Sequence, residues 1–129
     1  YGHSLGGAIA IELGLHHPEA AGLILESTFT SMPDMARLTY WMFPVNWLLN
    51  QRFDALAKIP LLRLPVLFIH GTADAEVPYA MSERLFAAAH EPKWLTLIPG
   101  GGHEDSAAIG GTVYARDVLA FTRINLRRH

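Results

Sequence analysis

Three short runs of this sequence are apolar without interruption, and they constrain the fold more than any other feature. They cover residues 22–25, 65–70 and 94–98. Continuous apolarity is typical of parallel strands whose sheet is covered on both faces. Helical patterns alternate with these runs, first from Leu5 to about His16 and later from Pro78 onward. The alternation predicts an α/β fold, with a mostly parallel sheet and helices on both faces.

Two helical segments fit this alternation, and one segment departs from it. The helix from Leu5 to about His16 is apolar nearly all round, with Glu12 as its only charge, which predicts a buried helix. Residues 112–127 form an amphipathic pattern that places Tyr114, Val118 and Phe121 on one face. Residues 32–59 do not fit the alternation and are interpreted as a helical excursion from the sheet. Their aromatic residues are Tyr40, Trp41, Phe43, Trp47 and Phe53.

Composition excludes several functional classes. The net charge of −2 and the pI near 6.4 argue against a nucleic-acid-binding protein that relies on a basic surface. Half of the 129 residues are hydrophobic and 17% are charged, which excludes a disordered chain. The absence of cysteine excludes disulfides, thiol catalysis and cysteine metal sites. The sequence contains no uninterrupted run of about 18 apolar residues, so it predicts no membrane-spanning helix.

The most specific motif lies at the start of the chain, where Gly2, Ser4 and Gly6 have the spacing G-x-S-x-G. Followed at once by a helix, this motif is typical of a nucleophile elbow, a strand-to-helix turn that exposes a serine. A Cβ two residues before or after the serine would collide with neighbouring chain, so we expect both glycines to be required. The helix N-terminus would offer N–H groups to a developing oxyanion.

Groups that could activate a serine follow the second and third apolar runs. Asp74 lies in the sequence HGTADAEVP of residues 70–78, and His103 lies in GGGHED of residues 100–105. The carboxyl ends of parallel strands are where open α/β sheets place their sites. A serine hydroxyl needs a base that is itself oriented by an acid. The order Ser, Asp, His along the chain is the order used by elbow-type hydrolases.

Together these motifs, with ESTFTS at residues 26–31, resemble the α/β-hydrolase superfamily. Within it, the chain resembles the branch that holds palmitoyl-protein thioesterases and prolyl-oligopeptidase-like serine hydrolases. The resemblance covers essentially the whole chain but only the C-terminal half of the family's fold. It implies that residues 1–129 form a partial α/β-hydrolase domain whose N-terminal half is absent, including the strand that should end at Gly2.

The resemblance also implies a role for individual residues. Ser4 would be the nucleophile, Asp74 the orienting acid and His103 the general base. The N–H of Leu5 would be one oxyanion donor, and the loop that supplies the second donor in the family has no counterpart in this sequence. No cofactor and no metal are expected.

Other residues compete for these roles. Glu76 is the main competitor of Asp74, which occupies the position that the family motif uses. His3 is interpreted as lining the pocket or hydrogen-bonding locally, and His70 as a packing residue at a strand end. A metal site at His103 with its two acidic neighbours is disfavoured, because no H-E-x-x-H spacing is present.

The predicted function is a serine hydrolase that cleaves an ester or thioester through an acyl-enzyme. The alternatives are a prolyl-oligopeptidase-like peptidase and a catalytically incomplete fragment with no activity of its own. The segment 32–59 lies where the family places its cap, and its aromatic residues either shape an acyl-binding pocket or only pack the cap onto the core. The expected partner is a small-molecule or acyl substrate, not a nucleic acid. The 129-residue sequence does not itself support membrane association, and it does not distinguish a cytoplasmic from a membrane-associated compartment.

Overall fold

The computed structural model describes residues 1–39 and 53–128. Within these ranges four strands alternate with the helices, and the last three follow the order of the apolar runs. The strands are β1 (Gly2–His3), β2 (Leu23–Glu26), β3 (Val66–Gly71) and β4 (Lys93–Ile98). The helices are α1 (Leu5–His16), α2 (Met32–Thr39), α3 (Ala55–Lys58), α4 (Tyr79–Ala88) and α5 (Ser106–Leu126), with a 3-10 turn at Ile59–Leu61.

The four strands form one sheet in the order β1-β2-β3-β4, and every neighbouring pair is parallel. The predicted fold class is therefore confirmed. Leu25 at the centre of the sheet pairs with Gly2 on one side and with Phe68 on the other. The strand expected to be missing before the elbow is represented by the two residues of β1. Because the strands are parallel, all their carboxyl ends lie at one edge.

Side chains alternate between the two faces of the sheet and meet helices on both. Leu25 and Phe68, both completely buried, point towards α1, α3 and α4, where they pack with Ile11 and Leu85. The alternate positions face the other way and pack against α5. They are Leu67 and Ile69 of β3, with Ile98 and Phe121 as their buried neighbours. This two-sided burial explains why the strands read as continuously apolar.

Two helices depart from their predicted form. In α1 the exposed fractions of Ile9 and Leu13 are 46% and 56%, so the prediction of an all-round buried helix is wrong for this face. The range of α5 joins two helices at Gly111, whose φ of +51° is not helical. The helix predicted from residue 112 is confirmed as the part after this break, and the helical stretch from Ser106 up to the break is additional. The glycine adopts a conformation that other residues rarely accept, so it permits the break between the two helices.

The segment 32–59 is described only at its two ends, by α2 and α3. Tyr40, Trp41, Phe43 and Trp47 lie outside the described residues, so the expectation for a cap over the site is not tested there. Among the helices that are described, none combines the length and apolarity needed to cross a bilayer.

Candidate active site

Ser4 lies at the tight turn between β1 and α1. Its backbone has φ +54° and ψ −120°, a strained conformation for a residue other than glycine. The turn is held by the Ser4 N–H, which donates to the Glu26 carbonyl at 2.9 Å, and by the Gly7 N–H, which donates to the Ser4 carbonyl at 3.0 Å. The Ser4 side chain does not cap α1. The turn thus has the geometry expected of the elbow, and among the described residues no hydrogen bond engages the Ser4 hydroxyl.

The glycines around this turn differ in how much they are needed. A Cβ on Gly2 would overlap the carbonyl of Gly6, so glycine is required before the serine, as expected. Among the described residues, a Cβ on Gly6 would meet nothing within 4 Å, so the collision expected at that position is not found with them. The collision falls instead on Gly7, whose Cβ would overlap the Thr28 side chain. Close packing of α1 against the chain after β2 is therefore what demands a glycine here.

Asp74 lies in the loop after β3, and its side chain is completely buried. Its Oδ1 accepts from the N–H groups of Glu76 and Val77 at 2.9 and 2.8 Å. Its Oδ2 lies 2.9 Å from His103 Nδ1 and 3.2 Å from His70 Nε2. The carboxylate is therefore surrounded by four donors.

These donors decide the charge of Asp74. Burial by itself would raise the pKa of this carboxyl group. Hydrogen bonds from His70, from the Val77 amide and from the remaining two donors outweigh burial and hold the pKa of Asp74 well below its usual range. Asp74 is an anion at neutral pH.

His103 lies in the glycine-rich loop after β4 and is 9% exposed. The loop is fixed to the end of β3, since the Ala73 N–H donates to the Gly101 carbonyl at 2.9 Å. It is also fixed to α5, where the Ser106 hydroxyl donates to the Gly102 carbonyl at 3.0 Å. Asp74, and not Glu76, contacts Nδ1 of His103. The Glu76 carboxylate lies on the other side of the ring, 3.4 Å from Nε2.

The structure brings His103 beside the elbow without joining it to Ser4 directly. His3, the residue before Ser4, donates from Nε2 to the His103 carbonyl at 2.7 Å, and the two ring centroids are 4.9 Å apart. Within the described part of the chain, no hydrogen bond joins the Ser4 hydroxyl to His103. Leu5 is the first residue of α1, so its N–H has no partner inside the helix.

An open cleft lies beside His103 at the carboxyl edge of the sheet. It is lined by Ala73, Ala75 and Glu76 after β3 and by Gly102, Glu104 and Asp105 after β4. Both loops follow strand ends, which is where a substrate would reach an α/β site.

One group of described residues has the composition of a metal site. The ligand atoms of His3, His103 and Glu104 lie within 4.8 Å of one another. However, Glu104 is exposed, and one nitrogen of His103 is already bonded to Asp74. The spacing is wider than the compact shell of a tightly bound zinc ion, and sequence and geometry together do not favour a metal here.

Sequence reasoning missed two residues that touch this site. His70 is fully buried and contacts Asp74, whereas the sequence suggested only packing. Glu26, at the end of β2, is 4% exposed and accepts hydrogen bonds from the hydroxyls of Tyr1 and Tyr114 at 2.6 and 2.7 Å. The available signal was a polar residue closing an apolar strand, because a buried polar group needs partners.

Comparisons with known proteins agree with this fold. No family model matches the chain. An uncharacterised protein of Mycobacterium tuberculosis is 41% identical over 94% of this chain and 43% of its own length. The α/β-hydrolase domain-containing protein WAV2 of Arabidopsis thaliana is 33% identical over 94% of this chain and 45% of its own. The chain thus spans less than half the length of these relatives.

Solved structures show the same architecture. The esterase domain of a Rhodothermus marinus protein matches with a TM-score of 0.68 and 22% identity, over 91% of this chain and 58% of that domain's chain. The parallel sheet, the elbow at its carboxyl edge and this match define an α/β-hydrolase fold. The sequence relatives agree with that fold, since WAV2, of which this chain covers 45%, is named for an α/β-hydrolase domain. The match to the thioesterase and prolyl-oligopeptidase-like branch stays a prediction.

Proposed function

We propose that this chain carries the catalytic residues of a serine hydrolase that cleaves a carboxylic ester or thioester. The observation that carries the proposal is the 2.9 Å contact between His103 Nδ1 and Asp74 Oδ2, formed beside the strained turn at Ser4. A buried, ionised carboxylate on one ring nitrogen makes the other nitrogen the proton acceptor.

The reaction would run through an acyl-enzyme. Nε2 of His103 takes the proton of the Ser4 hydroxyl as Oγ attacks the carbonyl carbon of the substrate. The N–H of Leu5 donates to the oxyanion that forms. His103 then gives the proton to the departing alcohol or thiol. In the second half of the reaction it accepts a proton from the water that attacks the acyl-enzyme, and it returns this proton to Ser4 Oγ as the acid leaves.

One movement is required before this reaction. His103 Nε2 now faces the Glu76 carboxylate at 3.4 Å, and the Ser4 hydroxyl must replace that neighbour. The Glu76 side chain is 59% exposed, so it can turn into solvent. Catalytic hydrogen bonds are often long without substrate and tighten in the bound complex.

A fluorophosphonate probe tests the proposal on the protein expressed at its full encoded length. We expect labelling on Ser4 that Ser4→Ala abolishes and that His103→Gln slows by about 10³-fold or more. His90→Gln is the matched control, because His90 is exposed and remote from the site, and it should label like the parent. Labelling that persists in Ser4→Ala would refute the assignment of the nucleophile.

A substrate panel then identifies the bond that is cleaved. p-Nitrophenyl esters of increasing acyl length, matched thioesters and aminoacyl amides are compared on the same preparation. Hydrolysis of esters and thioesters without amides is the expected result, and preferential turnover of amides would favour the peptidase alternative. Indifference to acyl length would remove the idea of an apolar acyl pocket formed by residues 32–59.

A further inference from the structure

His70 makes polar contacts that packing alone does not require. It is the second-last residue of β3, and its side chain is fully buried. Its Nδ1 lies 2.6 Å from the Ser82 hydroxyl, which is buried on α4. Its Nε2 lies 2.8 Å from the Val77 carbonyl and 3.2 Å from Asp74 Oδ2. Every polar atom of the ring therefore has a partner.

These partners fix where the ring carries its hydrogen. Both neighbours of Nε2, the Val77 carbonyl and the Asp74 carboxylate, are acceptors, so Nε2 must be the donor. Nδ1 is left facing the Ser82 hydroxyl, which is able to donate to it. Ser82 thus selects the ring orientation in which the N–H of His70 points at the loop that holds Asp74.

The contact falls on the same oxygen that His103 uses. Asp74 Oδ1 is occupied by two backbone amides, whereas Oδ2 is shared between His70 and His103. The N–H of His70 bridges this oxygen and the Val77 carbonyl, and the Val77 amide in turn donates to Oδ1. The arrangement prevents the carboxylate from rotating about its Cβ–Cγ bond.

We propose that His70 is a positioning residue, whose N–H holds Asp74 Oδ2 towards His103 and whose own orientation is set by Ser82. The proposal rests on the serine-hydrolase function, and it adds two buried residues, His70 and Ser82, to those that support the catalytic residues. Neither residue touches the substrate. Their effect is on the geometry of the acid and therefore on the step in which His103 moves a proton.

Two substitutions of His70 separate positioning from packing. His70→Leu keeps the apolar bulk but has no donor, and we expect labelling of Ser4 and kcat to fall about 10- to 100-fold, with KM within twofold. His70→Gln places an amide N–H at a reach similar to that of Nε2, and we expect it to restore most of the rate. A purely structural role would not be rescued by a donor.

Thr96→Val is the matched control. Thr96 is 8% exposed on β4, and its hydroxyl donates to Asp117 at 2.8 Å, away from Asp74. It loses one part-buried hydrogen bond that does not involve Asp74, and it is expected to keep the parent rate per folded molecule. An equal loss in Thr96→Val and His70→Leu would overturn the proposal.

A spectroscopic readout keeps this inference separate from the proposed function. In the full-length protein the proton on His103 Nδ1 should give a downfield, slowly exchanging NMR signal. His70→Leu should weaken or shift that signal, whereas His70→Gln and Thr96→Val should keep it. If the parent protein is not labelled at Ser4, the proposed function fails, and the signal alone still decides whether His70 positions Asp74.

Ser82→Ala supplies a second variant in case His70→Leu does not fold. It leaves the His70 donor in place but removes the group that selects its orientation. The two acceptors at Nε2 still hold its hydrogen there, so we expect the Nε2–H form to persist, with a shifted ¹⁵N signal of Nδ1 and a few-fold loss of labelling rate. Unchanged shifts and an unchanged rate would overturn the proposal.

Discussion

At the scale of single residues, Asp74 has the most demanding surroundings in the site. Its two oxygens accept from four donors, and a fully buried side chain has no water to replace a donor that is lost. These donors stabilise the charged form, so the folded protein lowers the pKa of this group. The same hydrogen bonds that orient His103 therefore also contribute to stability.

Asp74→Asn tests this double role. An amide has one acceptor oxygen, so some of the four donors lose their partner, and the free energy of unfolding should fall by about 2 kcal/mol at neutral pH. Because the folded state lowers the pKa of Asp74, its stabilisation is present above about pH 4 and is lost as the pH falls towards the folded-state value. Urea unfolding from pH 7 to pH 3 should therefore show the two proteins converging. A constant difference across this range would contradict the assignment.

At the scale of elements, the start of α1 is seated against the chain that follows β2. Gly7 faces the buried side chain of Thr28, and Ser4 is tied to the carbonyl of Glu26. The Glu26 carboxylate extends the same junction to α5, because it accepts a hydrogen bond from the Tyr114 hydroxyl. Burial and then this hydrogen bond raise the pKa of Tyr114 to about 12. The elbow is therefore supported by β2 and, through it, by the last helix.

Gly6 and Gly7, two of the three glycines in α1, give a matched pair for testing how closely this helix packs against the chain after β2. Gly7→Ala places a Cβ against the rigid, buried Thr28 and should lower the free energy of unfolding by about 1–3 kcal/mol. Gly6→Ala meets no described residue within 4 Å and should raise it by about 0.5–1 kcal/mol, since alanine favours a helix over glycine. Urea denaturation of both variants measures the difference. Similar effects of the two substitutions would mean that α1 is not packed this closely.

Elements were predictable where a local pattern determines them. The runs at 22–25, 65–70 and 94–98 each lie within two residues of an observed strand, because burial on both faces demands unbroken apolar residues. The helix from residue 112 was predictable from its amphipathic pattern, whereas the short helical stretch before the break at Gly111 was not predicted. The exposure of one face of α1 also lies outside what its apolar sequence could show.

At the scale of the whole molecule, the site depends on contacts between distant parts of the chain. The approach of Asp74 to His103 was predictable, because parallel strands end at one edge of a sheet. The contacts of His70 with Ser82 and of Glu26 with Tyr114 were not, because they depend on how a helix is rotated against the sheet. No spacing along the sequence encodes that rotation.

Catalytic competence should likewise be a property of more than this segment. The chain spans 43% of the length of its M. tuberculosis relative, and the resemblance implies that the second oxyanion donor lies on a loop outside it. Loss of one such donor costs about 10²- to 10³-fold in rate. We therefore expect the 129-residue chain alone to react with a fluorophosphonate at Ser4 at least 100-fold more slowly than the full encoded length. The measurement is the second-order labelling rate per folded molecule, with Ser4→Ala as the blank for both lengths. Equal rates would place the whole oxyanion hole, and not one donor of it, within these residues.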